Sequence, residues 1–266
     1  ILQEYLTQVT MEKKGWSAEK YKINKLCRHD IAKTKLARLT PLLILKFRDE
    51  INQHLNPSTV NKYTTLINVS IKYARQILGI YVPNNPCEFI KRLKEPEFQG
   101  EVITHEEEER LLKNAIKSKA SWITLAIMLG IDCGVRRGEI LKLNREDINF
   151  LNYTCTLRDT KNGTSRSIGL SPRVMKEINN LPLNINGKLI SSSNGDNFKF
   201  YWVQLKKWSK VNKTFHSTRH TFASRSAMKG WSIVEIAQQG GWKELRVLKR
   251  YTHLKPEYLA DKLKQR

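Results

Sequence analysis

Three short segments concentrate residue types that can hold and attack a phosphate. The first is Cys133-Gly-Val-Arg-Arg-Gly-Glu-Ile-Leu-Lys-Leu143, the second His216-Ser-Thr-Arg-His-Thr-Phe-Ala-Ser224. The third is Gly240-Gly-Trp-Lys-Glu-Leu-Arg-Val-Leu-Lys-Arg-Tyr-Thr-His253. Arginine presents a planar fork that matches two oxygens of a phosphate and stays charged at any working pH. Histidine can exchange a proton near neutrality, and a tyrosine hydroxyl can serve as a covalent nucleophile. Taken singly, each residue has an ordinary structural use. An Arg-Arg pair on a helix is usually surface, a lysine beside a turn is solvated, and a histidine or an aromatic packs in a core. Their joint occurrence, in one order, is what asks for a chemical explanation.

Composition narrows the substrate. The chain has 266 residues, with 47 Lys+Arg against 25 Asp+Glu, a formal charge of +22 and a pI near 9.9. The excess is +8 for residues 1–100 and +14 for the remainder. Self-repulsion of that size opposes compaction, so it argues for a polyanionic partner touching both parts. Hydrophobic residues make up 40%, enough for a core, which excludes a disordered basic tail. The longest apolar run, Trp122 to Ile131, is far short of the ~20 residues a membrane span needs. Cys27, Cys87, Cys133 and Cys155 form no C-x-x-C pair, so neither a zinc site nor a disulfide framework is expected, and a reducing cytoplasmic setting is. The acidic run Glu106 to Glu109 reads as the first turn of a helix capped by Thr104 and Glu107, not as a metal cluster.

The order and spacing of the segments resemble the tyrosine recombinase (phage integrase) family of site-specific DNA recombinases. That family has a T-G-x-R-x-x-E-[IL] block, a lysine on a β-hairpin and an H-x-x-R-H block. A histidine or tryptophan follows, nine residues before the nucleophilic tyrosine. The resemblance implies Arg136 as the first arginine with Glu139 supporting it, Lys161 on the hairpin, and His216 with Arg219 as the H-x-x-R pair. Trp242 then takes the His/Trp position and Tyr251 is the nucleophile. Tyr258 has the wrong spacing from Trp242, and Arg158 and Arg166 share the hairpin with Lys161. Cys133 stands for the usual threonine, and Gly240 for a packing leucine in the L-G-[HW] block.

Such a set would cleave a phosphodiester by clamping its non-bridging oxygens with Arg136 and Arg219, whose charge would also favour the Tyr251 phenolate. Trp242 has only an N–H donor and cannot act as a base. His216 is therefore the expected base and Lys161 the expected acid for the departing 5′ oxygen, with His220 packing structurally. Neither metal nor other cofactor is implied.

The elements that must position these residues read as mainly α with a small β-hairpin in the catalytic domain. Residues 1–95 form a helical DNA-binding domain, 96–103 a linker, and 104–266 a catalytic domain. Together they imply a two-domain, C-shaped clamp. Ser17 and Thr40-Pro41 start helices, and Val60, Tyr63, Ile67, Ile71, Ala74 and Leu78 form an apolar stripe over about 57–78. On the same segment Asn61, Lys62, Thr65, Asn68, Lys72 and Arg75 are candidate DNA contacts. Helices are expected at 104–117, 121–133, 137–144, from Ser171-Pro172, 199–210, 216–229, 232–240 and 243–251, with another from Pro256. Strands Tyr153 to Thr160 and Thr164 to Leu170 flank an Asn162-Gly163 turn.

The implied function is a site-specific recombinase that forms a 3′-phosphotyrosine and passes through a Holliday junction. It would work as a homotetramer on duplex DNA carrying specific sites, with possible accessory DNA-bending proteins and no membrane. It is expected to be nucleoid-associated and prokaryotic or phage-encoded, with residues upstream of Ile1 removed and the 256–266 tail a candidate for docking on a neighbouring subunit. A type IB topoisomerase-like nicking-closing enzyme, a DNA-binding relic that no longer cuts, and an RNA-binding module are the alternatives.

Overall fold

Capping chemistry and apolar spacing account for most of the helices. The protein is described by a computed structural model, over residues 1–96, 101–158, 165–182, 184, 187–191, 195–251 and 264. The chain divides into two units, Ile1–Phe98 and Gln99–Arg266.

In the first unit a short α1 (Leu2–Tyr5) runs into a π-turn at Leu6–Thr10, followed by α2 (Trp16–Cys27), α3 (Pro41–Asn52) and α4 (Pro57–Gln76). The Thr40 hydroxyl accepts the Leu43 N–H, and the Asn56 amide oxygen accepts the Thr59 N–H. Each cap satisfies a donor that the first helical turn leaves open, and the proline that follows it is preset for N1. α2 starts at Trp16 behind Gly15, so Ser17 lies inside the helix and does not cap it. Val60, Tyr63, Ile67, Ile71 and Ala74 are buried, as their spacing requires. Leu78 is not: the helix ends two residues earlier, and Leu78 is exposed.

The second unit is built around α6 (Ile123–Cys133), which is apolar on every side and buried along nearly all its length. Before it comes α5 (His105–Ala115), with a capping box between Thr104 and Glu107. After it, α7 (Arg137–Ile140) is a single turn, shorter than the expected 137–144, because Leu143 and Asn144 leave the helix to meet Leu189 and Lys188. A three-stranded antiparallel sheet follows, with β1 (Ile148–Asn149), β2 (Thr154–Leu157) and β3 (Arg166–Gly169). Its register pairs Cys155 with Ile168, both buried. β1 was not among the expected strands; two residues are too few to show an alternation. The Asn162-Gly163 turn lies outside the described residues.

α8 (Pro172–Asn180), α9 (Gly195–Ser209), α10 (His216–Met228) and α11 (Ile233–Gly240) complete the unit. α10 lies so close on α6 that a Cβ at Gly130 would sit 2.2 Å from the Thr218 hydroxyl. The segment 243–251 is not an α-helix as expected. It forms two 3-10 turns, Leu245–Val247 and Lys249–Tyr251, closed by i→i+3 bonds from Leu248 to Leu245 and from Tyr251 to Leu248. The apolar residues Leu245, Leu248 and Tyr251 repeat every three positions, the 3-10 period. Among the described residues no helix is long and apolar enough to cross a membrane.

Candidate active site

Two helix ends and one strand bring the arginines together. α6 ends at Gly134, whose φ of +66° is left-handed and whose Cβ, if present, would lie 2.5 Å from the Phe222 ring. That turn delivers Arg136 in an extended conformation at the N-terminus of α7. Glu139, one turn on, reaches back: its Oε2 accepts the Arg136 N–H at 3.0 Å and its Oε1 accepts Arg136 Nη1 at 2.9 Å. Arg166 of β3 adds a bidentate pair to the same carboxylate, both bonds 2.9 Å.

The other anchor is the C-terminus of α11. Its last carbonyls have no intrahelical donor and carry the negative end of the helix dipole. Gly240 O accepts Arg219 Nη1, Arg166 Nη2 at 3.1 Å and, at 3.5 Å, Arg136 Nη1. Gly241 O accepts Arg136 Nη2 at 2.6 Å. Arg219, on α10, also donates to Gly134 O. Its guanidinium lies 3.5 Å from the Trp242 ring centroid, and Trp242 in turn stacks on Phe222. Trp242 therefore covers the cation from one side.

Gly240 makes this possible. A Cβ there would fall 1.9 Å from the Trp242 ring, so glycine in place of the packing leucine is what lets the indole fold over Arg219.

Two guanidiniums, those of Arg136 and Arg166, share the Glu139 carboxylate, and Arg219 lies beside them. Burial would raise the Glu139 pKa, but hydrogen bonds from Arg166 and the Arg136 backbone, together with both charges, hold it below the ordinary range. Glu139 is thus an ionised clasp. Arg219 feels the surplus: burial and then the Arg136 charge push its pKa down. It is 2% exposed, and its Nη2 has no hydrogen-bond partner. A buried cation with a spare donor beside two more cations is a setting for an anion.

Tyr251 packs against the cluster of Phe222, Ala223, Ala237 and Leu248. Its hydroxyl is hydrogen bonded to His220 Nδ1. His220 was expected only to pack, with His216 acting on Tyr251; the bond described for the hydroxyl runs to His220, which is buried, whereas His216 is exposed. The two imidazoles meet edge to face at 4.6 Å between centroids. Lys161 lies outside the described residues.

The expected DNA contacts on α4 divide. Asn61 is buried, donating to Leu93 O at 3.0 Å and Glu95 Oε1 at 2.9 Å and accepting the Leu93 N–H. It ties α4 to the following chain and is not presented to a groove. Asn68 accepts from Asn85 Nδ2 at 2.7 Å. Lys62, Thr65, Lys72 and Arg75 are exposed.

Arg166 and His220 are the two site residues whose parts the sequence reading missed. Arg166 was readable: strand alternation puts it on the face of the buried Ile168, and a cation on a core-facing register needs a buried partner. His220 had only its place beside Arg219 as a signal.

A helical unit with a small antiparallel sheet, carrying clustered arginines beside a tyrosine, defines a DNA strand transferase of the tyrosine type. Comparison with known proteins agrees. The sequence pattern described as "Phage integrase family" matches residues 101–257, and the chain belongs to that family. It is 30% identical over 275 residues to the shufflon-specific DNA recombinase of Escherichia coli, covering 100% of this chain and 71% of that protein. It is 27% identical to the integrase of Escherichia phage P2, over 79% of this chain and 59% of the phage protein. In fold it is similar to the Tn1549 transposon integrase in complex with a circular intermediate DNA, with a TM-score of 0.76, 18% identity and coverage of 100% and 99%. A lambda integrase dimer bound to a COC′ core site gives a TM-score of 0.77 at 18% identity, over 94% of this chain and 75% of that one.

Proposed function

We propose that this protein cleaves and rejoins duplex DNA at specific sites through a 3′-phosphotyrosine at Tyr251, exchanging strands by way of a Holliday junction. The observation that carries the reading is the convergence of Arg136 and Arg219 on Gly240 O, with the spare Nη2 of Arg219 and with Tyr251 packed on the cluster that includes Phe222 and Leu248. A phosphodiester bound there would have its non-bridging oxygens held by two guanidinium forks. Donors of this kind stabilise the five-coordinate state more than the ground state. Arg166 and Glu139 set the position of Arg136 from behind. Trp242 and Phe222 exclude water from one face of Arg219. Lys161, by its place in the sequence, is the donor for the departing 5′ oxygen. The energy of the cleaved bond is kept in the tyrosyl phosphate, so rejoining needs no nucleotide. The shufflon recombinase and the integrases whose structures hold DNA support duplex DNA as the partner. Exposed lysines and arginines on both units would provide most of the affinity, in a salt-dependent way.

The test uses end-labelled duplex from the DNA flanking the gene, nicked so that the cleaved strand end diffuses away. The expected result is a covalent protein–DNA adduct that is lost in Tyr251→Phe. Recombinant product from two-site DNA should follow. Relaxed supercoils without recombinant product would point instead to a nicking-closing enzyme, and tight binding without an adduct to a relic.

A further inference from the structure

His220 sits where a proton acceptor for Tyr251 would have to be. It lies on α10 directly after Arg219, it is 6% exposed, and its Nδ1 is hydrogen bonded to the Tyr251 hydroxyl. The rings lie 5.6 Å apart at centroid, tilted by 32°, so the contact runs through the ring edge and its nitrogen and not through the ring face. A neutral tyrosine can only donate in this bond if Nδ1 is unprotonated, which places the ring hydrogen on Nε2. We infer that His220 is a catalytic residue that takes the phenolic proton of Tyr251 as the hydroxyl attacks phosphorus. The inference rests on the strand-transfer reading given above.

The step balances as follows. The Tyr251 O–H proton passes to His220 Nδ1, and an Oη lone pair forms the bond to phosphorus. The P–O5′ bond breaks, and O5′ takes a proton from the acid on the opposite side of the phosphate. Rejoining reverses this: the 5′-hydroxyl attacks, the P–Oη bond breaks, and Oη recovers its proton from His220. One group thus acts as base in cleavage and as acid in rejoining, and the site needs no second proton carrier on the tyrosine side.

Charged and titratable groups stand on each element packed around His220. On its own helix the charged and titratable neighbours are Arg219, turned to Gly134 O and Gly240 O, and His216 at ring contact. From α6 the titratable groups are Asp132, engaged by Arg173 and Ser171, and Cys133, whose thiol burial pushes up to about 12. From α5, Glu108 is engaged by Arg225 and Arg173. From α11, Glu235 closes the capping box with Ser232. From the last 3-10 turn come Lys249 and Tyr251 itself. Each of the carboxylates named is engaged by another partner.

The experiment measures single-turnover adduct formation on the nicked duplex between pH 6 and pH 10, for wild type and for His220→Asn and His220→Gln. Both amides can accept the hydrogen bond but cannot hold the proton. At pH 7 the variants should be slower on the order of 10²-fold, the low end for loss of a general base. DNA affinity should be unchanged. The deficit should shrink steadily towards pH 10, where the phenol ionises unaided. Substrate with sulfur in place of the 5′-bridging oxygen should not rescue the variants, since a better leaving group replaces an acid and not a base. Wild-type rates in both variants, a deficit equal at every pH, or rescue by sulfur would each overturn the inference. If one amide variant fails to fold, as judged by thermal unfolding, the other carries the test. Should wild type form no Tyr251-dependent adduct, the failure is of the strand-transfer reading and not of His220's assignment within it.

Discussion

Two buried polar side chains of this protein, Asn61 on α4 and Arg219 on α10, are used to opposite ends. On α4 the buried Asn61 uses its amide in full: two bonds donated, one accepted, all to chain that follows within the same unit. On α10 the buried Arg219 donates twice through Nη1 and leaves Nη2 without a partner, beside two further guanidiniums. A buried polar group costs little when its bonds are made and a great deal when one is left over. The completed set holds a fold together. The incomplete one is what the proposed phosphate would complete.

The largest effect that would sharpen this contrast is expected at Glu139, the carboxylate that pairs with Arg136 and Arg166. Glu139→Gln leaves the partly exposed Arg136 and Arg166 without this counter-charge and should destabilise the second unit by about 3 kcal/mol at pH 7, the low end for breaking a buried pair. The sign with pH is set by the depressed folded-state pKa. The charge stabilises fully above the unfolded value of about 4.3, and its contribution is lost as pH falls through the lower folded value. Urea unfolding at pH 7, 4.5 and 3.5 should therefore show the gap between wild type and variant closing with acid. A gap constant with pH would mean that Glu139 is held by packing and not by charge.

Next comes Arg219 itself. Arg219→Lys keeps a charge but loses the fork, and adduct formation should fall by about 10²–10³ while duplex affinity measured by gel shift changes little. Equal losses in binding and cleavage would make Arg219 one more basic contact, and the contrast with α4 would fail.

Smaller effects, of about 1–3 kcal/mol, are expected at Gly240→Leu and at Asn61→Ala. The first forces Trp242 off Arg219, because even a Cβ collides with the indole. Thermal unfolding and a red-shifted tryptophan emission would register it. The second takes the Asn61 partner from both the N–H and the carbonyl of Leu93, while Glu95 keeps Arg92, and should lower the stability of the first unit alone.

The same contrast explains what could be read beforehand. The capping boxes at Thr104–Glu107 and Ser232–Glu235 and the stripe on α4 are local signals, written within a turn or two of chain, and they lie where expected. The arginine, histidine and tyrosine positions were legible only because their order matched a known pattern. What failed was any judgement needing to know what a side chain meets across the fold. Asn61 looked like a base-reading residue until Leu93 and Glu95 came back to it, more than thirty residues on. His220 looked like core until the 3-10 turns, which replace an expected helix, set Tyr251 against it. The carbonyl of Gly240 could not be seen at all, since a backbone acceptor leaves no mark on residue type.

The smallest effect separates the two kinds of residue on α4. Lys72 is exposed there, and on the proposed function its part would be phosphate affinity, whereas Asn61 and Asn68 are engaged within the fold. Lys72→Ala should weaken DNA binding several-fold and lower the slope of log K against log salt by about 1, uniformly over duplex sequences. Asn61→Ala should leave that slope unchanged, because Asn61 contacts no phosphate, even though it costs more in stability. Titrations of both variants between 50 and 200 mM salt, on the order of the range where such slopes are resolved, compare them directly. If Asn61→Ala instead changed which duplex is preferred, Asn61 would have to leave Leu93 on binding, and its three completed bonds would be a resting arrangement and not a structural one.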